Sequence, residues 1–432
     1  MEKRKYNYRK ILALFMTCIC ALSVTGCFVN QKIECSVMRS VNLMEGYTKQ
    51  AVSSGGLELT EFNHEKTMDF AVRILQNGMK EEENSLLSPV SILAALAMTA
   101  NGAKGETLEQ MEEVFGLSVD GLNREIGAYV ANCDNSEDYK VDIANAIWFT
   151  EEEHFTVNPV FLQTNANYYQ ADIYAAPFDE STVYDINHWV NQKTDGMIPK
   201  VLDRIDPSIV MYLINAVYFD AEWKVKYTES AIRDGVFTKE DGTTQKVEFM
   251  YSEENVYLED ENATGFMKYY KGGDYAFVAM LPKEGMSIEE YVTSLSGESL
   301  YAYVTDTQYD TVNVSIPKFE YEFDVELTSV LREMGMTDAF NEGEADFTGL
   351  GTSTMGNVFI NSVMHKTFIS VDENGTKAAA ATIVAPGCES EPAEPKVVHL
   401  DRPFVYMIYE VGSCKPLFIG TVMDLDADCG ME

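Results

Sequence analysis

Residues 371–382 read Val-Asp-Glu-Asn-Gly-Thr-Lys-Ala-Ala-Ala-Ala-Thr. Glu373, a bend-permitting Gly375, Thr376 and then Ala378, Ala379, Ala380 and Ala381 make a segment that can extend with little bulk. Such a stretch can slide between two existing strands, because small side chains widen a sheet without overfilling the core beneath it. Alternation of faces along a strand puts Thr376, Ala378, Ala380, Thr382 and Val384 on one side. Lys377 falls on the other, where its charge stays in water. Four consecutive alanines also suit a helix, alanine being the best helix former, and so short a run does not separate the two readings by period.

The surroundings separate them. Downstream, residues 401–409 (Asp-Arg-Pro-Phe-Val-Tyr-Met-Ile-Tyr) and 416–422 (Pro-Leu-Phe-Ile-Gly-Thr-Val) are strand-like runs divided by turn residues. Upstream stand residues 361–367 (Asn-Ser-Val-Met-His-Lys-Thr) and 346–350 (Asp-Phe-Thr-Gly-Leu). Together they resemble the C-terminal third of a serpin: hinge, exposed reactive loop and closing strands. Residues 84–92 (Asn-Ser-Leu-Leu-Ser-Pro-Val-Ser-Ile) resemble the family's early strand-to-helix segment, and residues 213–219, continuing to Trp223, resemble its central-sheet strand. Residues 316–319 (Ile-Pro-Lys-Phe) and 327–340 resemble the strand and helix before the loop. The likeness runs in the family's order from residue 61 to residue 425. It implies an α+β serpin fold: a large central, mostly antiparallel sheet, further sheets, about eight or nine helices and an exposed reactive loop.

The first residues have a separate task. Lys3, Arg4, Lys5, Arg9 and Lys10 form a basic start, and residues 11–24 are apolar but too short to span a membrane. Val24-Thr25-Gly26-Cys27 resembles a bacterial lipobox, which implies lipid attachment at Cys27. The other reading is an ordinary secretory signal with a coincident cysteine. Either places the protein outside the cytoplasm: anchored to the outer face of a membrane through that lipid, or secreted. The chain divides into a leader (1–26), a tether (27–59, with Ser53-Ser54-Gly55-Gly56), one domain (60–425) and a short tail (426–432).

Hydrophobic content of 46% and charged content of 23% suit a packed core. The net charge of −37 becomes about −41 once the leader's five basic residues and Glu2 are gone. Nucleic acid is repelled by such a surface. A heparin-type activator site, a basic patch on an early helix in some serpins, is not expected, since residues 106–125 carry Glu109, Glu112, Glu113, Asp120 and Glu125 against Arg124. The charge serves solubility. Of eight cysteines, Cys18 and Cys20 leave with the leader and Cys27 carries the lipid. Cys35, Cys133, Cys388, Cys414 and Cys429 remain, an odd set without metal spacing, expected as free thiols.

No enzyme emerges. His64, His154, His188, His365 and His399 make no metal pair at helical spacing, no G-x-S-x-G occurs, and no cofactor or metal is implied. Ser315-Ile316-Pro317-Lys318 matches S-x-x-K in letters only, because Val312, Val314, Ile316 and Pro317 indicate a strand, whereas that motif needs a helical turn.

The resemblance implies a mechanical function: irreversible suicide-substrate inhibition of serine, or papain-like cysteine, proteases outside the cell. The target protease attacks the exposed loop, and the loop's N-terminal half then enters the main sheet, dragging the covalently bound enzyme with it. About ten newly paired residues at roughly 0.5–1.5 kcal/mol per hydrogen bond give on the order of 10 kcal/mol, comparable with the stability of a domain. The uncut chain is then kinetically trapped, and a monomer is expected. Ser88, Ser91, Asn215 and His365 match the polar cluster beneath the opening sheet, which also serves as a satisfied core network. Trp223 and Glu373 match the place where the sheet first opens. Thr376 is the first residue to insert, and a charge there would be desolvated.

The family's register counted from Glu373 puts the cut bond at Glu389–Ser390. Counted back from Leu400, Pro403 and Phe404 it falls a few residues later, so the reactive residue lies within residues 388–391, Cys388 and Glu391 included. Glu389 suits a protease with a basic pocket; Cys388 suits an elastase-like one. The chain departs from the inhibitory pattern at Lys377, usually acidic but outward-facing here, and at Pro386, which cannot donate to a ladder and would stop insertion near Ala385. The alternative from another class is a non-inhibitory serpin-fold binding protein of the cell surface. The small, uncharged face of Thr376, Ala378, Ala380 and Thr382 speaks for inhibition.

Overall fold

The computed structural model describes residues 38–49, 61–133, 136–151, 154–206, 209–354, 356–376 and 395–425. Among them are nine α-helices and several sheets, the α+β architecture expected. Seven strands make the central sheet: β1 (Val41–Asn42), β2 (Tyr139–Thr150), β3 (Asp172–Ala176), β4 (Met211–Glu222), β5 (Phe319–Glu326), β6 (Ser362–Val371) and β7 (Gly375–Thr376). Their order across the sheet is β1-β3-β2-β4-β7-β6-β5. The β2–β3 and β4–β6 pairings are parallel, the rest antiparallel.

Sequence pattern and burial agree strand by strand. The run Met-Tyr-Leu-Ile-Asn-Ala-Val-Tyr-Phe of β4 is buried throughout, as befits a strand covered on both faces. β6 alternates buried and half-buried residues without a break, so Val363, His365, Thr367, Ile369 and Val371 face the core. Behind β2 and β4 lies the helix Pro89–Ala100, all of whose residues are buried between these strands and the strand Lys415–Val422. Proline at its first turn costs no hydrogen bond. A second, larger sheet carries the apolar strands Tyr275–Pro282, Phe404–Glu410 and Lys415–Val422, and the short strand Lys396–His399 lies at its edge.

The middle of the central sheet is incomplete. β4 and β6 pair directly from Ser362↔Tyr212 to Lys366↔Ala216. At the other end β7 lies between them. Between these two zones neither strand pairs with the other, and a small pocket opens there, lined by Met197, Val217, Phe219, Phe368, Ile369 and Thr376.

Residues 39–49, within the segment read as a tether, lie on the body of the protein. β1 pairs with β3 at the sheet edge. The backbone N–H groups of Arg39 and Ser40 and the Ser40 hydroxyl all donate to the Asp185 carboxylate, at 2.9, 2.8 and 2.6 Å. Gln163 donates to the Thr48 carbonyl at 3.1 Å. A two-residue strand has no period to read, so backbone and carboxylate hydrogen bonds hold this stretch where hydrophobic patterning gave no sign.

Candidate functional site

Two clusters sit at two heights of the same gap. The upper one is the hairpin from β6 to β7. Asp372 N–H donates to the Gly375 carbonyl at 3.0 Å. The Asp372 carboxylate accepts from Asn374 N–H (2.7 Å) and Gly375 N–H (3.2 Å), which closes the turn. Gly375 is required by close approach rather than by bending. Its φ lies outside the left-handed region, and a Cβ there would stand 2.1 Å from the Ala221 carbonyl oxygen.

Thr376, expected as the first residue to insert, already occupies the sheet. It pairs with Ala221 on β4 and Val371 on β6. It is 3% exposed, and its hydroxyl lies 2.6 Å from that of Tyr270. Three successive hinge carbonyls are held from one side: Asp372 by the Trp223 indole N–H (2.8 Å), Glu373 by Tyr227 N–H (3.1 Å) and Asn374 by Trp223 N–H (2.8 Å). The indole stacks on Tyr270 at 4.5 Å between centroids. Lys318 reaches both Glu373 and Glu248 at 2.9 Å, and its hydrogen bond holds the Glu373 carboxyl below its ordinary pKa.

The lower cluster is a row across three strands. Asn145 stands opposite Asn215, and Asn215 opposite His365. Ser88 N–H donates to His365 Nε2 at 3.1 Å, which leaves the ring proton on Nδ1, donated to Asn215 Oδ1 at 2.6 Å. Asn215 Nδ2 then donates to Asn145 Oδ1 at 2.5 Å and to the Ser91 hydroxyl. Burial pushes the imidazole pKa down to about 3, so the ring is neutral at physiological pH, as its acceptor role requires. Of the residues expected here, Ser91, Asn215 and His365 meet through side chains. Ser88 contributes its backbone only; its buried hydroxyl has no hydrogen-bond partner. The Asn215–His365 hydrogen bond spans the β4–β6 seam.

Comparison with known proteins agrees with this geometry. The family description "Serpin (serine protease inhibitor)" matches residues 65–425. The chain belongs to the serpin family. The thermophilic serpin tengpin in its native state is 46% identical, covers 89% of this chain with all of its own, and superposes with a TM-score of 0.85. A leukocyte elastase inhibitor from Xenopus laevis is 31% identical over 78% of this chain and 92% of its own length. Human thyroxine-binding globulin, crystallised with its ligand, is 25% identical over 85% of this chain and all of its own, with a TM-score of 0.76. The serpin fold thus hosts inhibitors and binding proteins, and serpins act on target proteases.

Within this serpin, Ala378, Ala379, Ala380, Ala381, Thr382, Cys388, Glu389, Ser390, Glu391 and Cys27 lie outside the described residues. Cys414 carries a free thiol. Ser315 and Lys318 belong to an extended segment, Ser315 bonded to His399 Nδ1 at 3.1 Å and Lys318 to carboxylates. Sequence reasoning passed over Asn145, Tyr270 and Lys318. Lys318 was weighed only as a rejected nucleophile partner, although it lies within Ile316-Pro317-Lys318-Phe319. An asparagine amid the apolar run Ile-Ala-Asn-Ala-Ile of β2 is the trace that could have given Asn145, once register was known.

Proposed function

We propose that this serpin is an irreversible suicide-substrate inhibitor of extracellular serine proteases, with papain-like cysteine proteases as a second target class. The observation that carries the reading is Thr376, already built between β4 and β6 with an unfilled seam below it. Continued in register from Thr376↔Ala221 and Thr376↔Val371, residues 377–385 would stand opposite 220–212 on β4 and 370–362 on β6. The direct pairs between Ser362–Lys366 and Tyr212–Ala216 would be replaced by pairing on both flanks of the new strand. Thr382 would fall opposite Asn215 and His365, bringing a hydroxyl to the two side chains that part. Pro386 would fall opposite Asn361, just beyond the start of β6, and opposite Met211, the first residue of β4, so its missing N–H would cost at most the last pair on the β4 side and insertion would end near Ala385.

In the reaction the protease's serine or cysteine attacks the carbonyl of the reactive residue, Glu389 in the family's register. The bond to Ser390 breaks, its amine takes the proton, and an ester or thioester to the protease remains. Insertion then outruns hydrolysis. The experiment is to incubate the protein with serine and cysteine proteases, seek an adduct that survives denaturant, and sequence the released C-terminal peptide. A glutamate-preferring protease is expected to release a peptide beginning at Ser390. An elastase-like one should release a peptide beginning at Glu389, or one cut upstream near Val384 or Ala385. Clean cleavage by every protease, with no adduct, favours the binding-protein alternative instead.

We further propose that the chain is lipid-anchored through Cys27, on the strength of Val24-Thr25-Gly26-Cys27 behind a basic, apolar leader. Cys27→Ala is expected to move the protein from the membrane to the soluble fraction with inhibition unchanged. Equal membrane association of variant and parent would end this reading.

A further inference from the structure

Lys268 is a lysine buried where few lysines are, with its side chain 2% exposed. It lies on the strand Ala263–Tyr269, and its ammonium meets Glu254 at 2.6 Å. The same ammonium sits over two rings, Tyr227 at 4.5 Å and Trp223 at 5.4 Å from the centroids. Trp223 also stacks on Tyr270, which in turn reaches Thr376. Glu254 is fixed by the Ser252 hydroxyl at 2.7 Å. Trp223 and Tyr227 are also the residues whose N–H groups hold the carbonyls of Asp372, Glu373 and Asn374. One buried cation therefore braces both residues that hold the hinge turn.

That turn already has the geometry of an inserted hairpin, with Val371 paired to Thr376 and Gly375 to Glu222. A brace on it does not resist insertion; it keeps the first pairs of the incoming strand made, so that later pairs add to an existing nucleus. We propose that Lys268 is a positioning residue for the hinge, which through Trp223 and Tyr227 sets how fast the cut loop enters the sheet relative to hydrolysis of the acyl bond. The inference rests on the trapping function proposed above.

The test uses the full chain and a protease that it traps, and reads two quantities on folded monomer: inhibitor consumed per protease trapped, and the rate of association. Lys268→Met keeps the stem and removes the cation. It is expected to raise the consumption ratio at least about threefold, the factor supplied by a cation–π contact at the weak end of its range, with association unchanged because the loop itself is unaltered. Lys268→Arg should restore the parent ratio. Tyr227→Leu leaves the ion pair intact and removes one ring, which keeps the test open should Lys268→Met not fold; it is expected to raise the ratio about twofold. A residue that merely stabilised the fold would lower the melting temperature and leave the ratio of the folded fraction as it was. An unchanged ratio in Lys268→Met, or in Tyr227→Leu where the first variant does not fold, overturns the proposal. A parent chain that traps no protease removes the proposed function itself, a result visible before any variant is made.

Discussion

Cutting the chain anywhere within residues 384–391 is expected to raise its melting temperature by on the order of 20 °C. Before the cut, the segment is fixed at Thr376 in the central sheet and at the strand Lys396–His399 on the edge of the other sheet. On the proposed mechanism, full insertion along β4 and β6 waits until that far end is released. Release of that end lets residues 377–385 complete the seam, fill the pocket beside Phe219 and Phe368, and satisfy backbone groups on both flanks. On the proposed mechanism the native chain is a kinetically held state with a lower free-energy arrangement out of reach. Differential scanning calorimetry of cut and uncut protein reads the effect, and equal melting temperatures would remove the insertion mechanism for this chain.

Thr376→Arg is expected to lower formation of the denaturant-stable adduct by at least about 30-fold while cleavage of the loop continues. Thr376 lies in the sheet with its hydroxyl on Tyr270 and almost no exposure. The carboxylates of the hairpin are already engaged, Asp372 by the N–H groups of Asn374 and Gly375 and Glu373 by Lys318, so a guanidinium there must either be desolvated or push β7 out of the seam. Either outcome removes the nucleus from which insertion proceeds, so the acyl bond is hydrolysed first. Because β7 is part of the uncut sheet, the variant should also melt below the parent. Thr376→Val, which keeps the shape and loses the hydroxyl, is expected to go on trapping. Full trapping by Thr376→Arg, read as the ratio of adduct to cleaved band on a denaturing gel, would contradict the buried facing of this residue.

The fold was legible because its decisive segments are written in local pattern. The apolar run of β4, the alternation of β6 and the small residues after Gly375 each carry their meaning within a few positions. His365 and Asn215 were found by resemblance alone; that they stand directly opposite one another is a matter of register, which no single strand contains. Asn145 and Tyr270 belong to the site only through pairing across strands distant in sequence, so nothing near them in the chain marks their role. Gly375 shows a different shortfall. Its presence was read correctly, but a glycine that relaxes φ and a glycine that admits a neighbouring carbonyl look identical in sequence. The docking of residues 39–49 rests on the Asp185 carboxylate, a two-residue strand, the Gln163–Thr48 hydrogen bond and the partly buried Leu43, Met44 and Tyr47, which follow no regular period along the chain.

Amide hydrogen exchange across residues 377–385 of the cut protein tests the central claim most directly, because it reads the new backbone hydrogen bonds themselves. If these residues complete the sheet between β4 and β6, their amides should exchange at least about a thousandfold more slowly than in an unstructured peptide. The flanking pairs at 212–216 and 362–366 should remain protected. Exchange of residues 377–385 at the rate of a free peptide, in protein whose loop has been cut, would contradict the account.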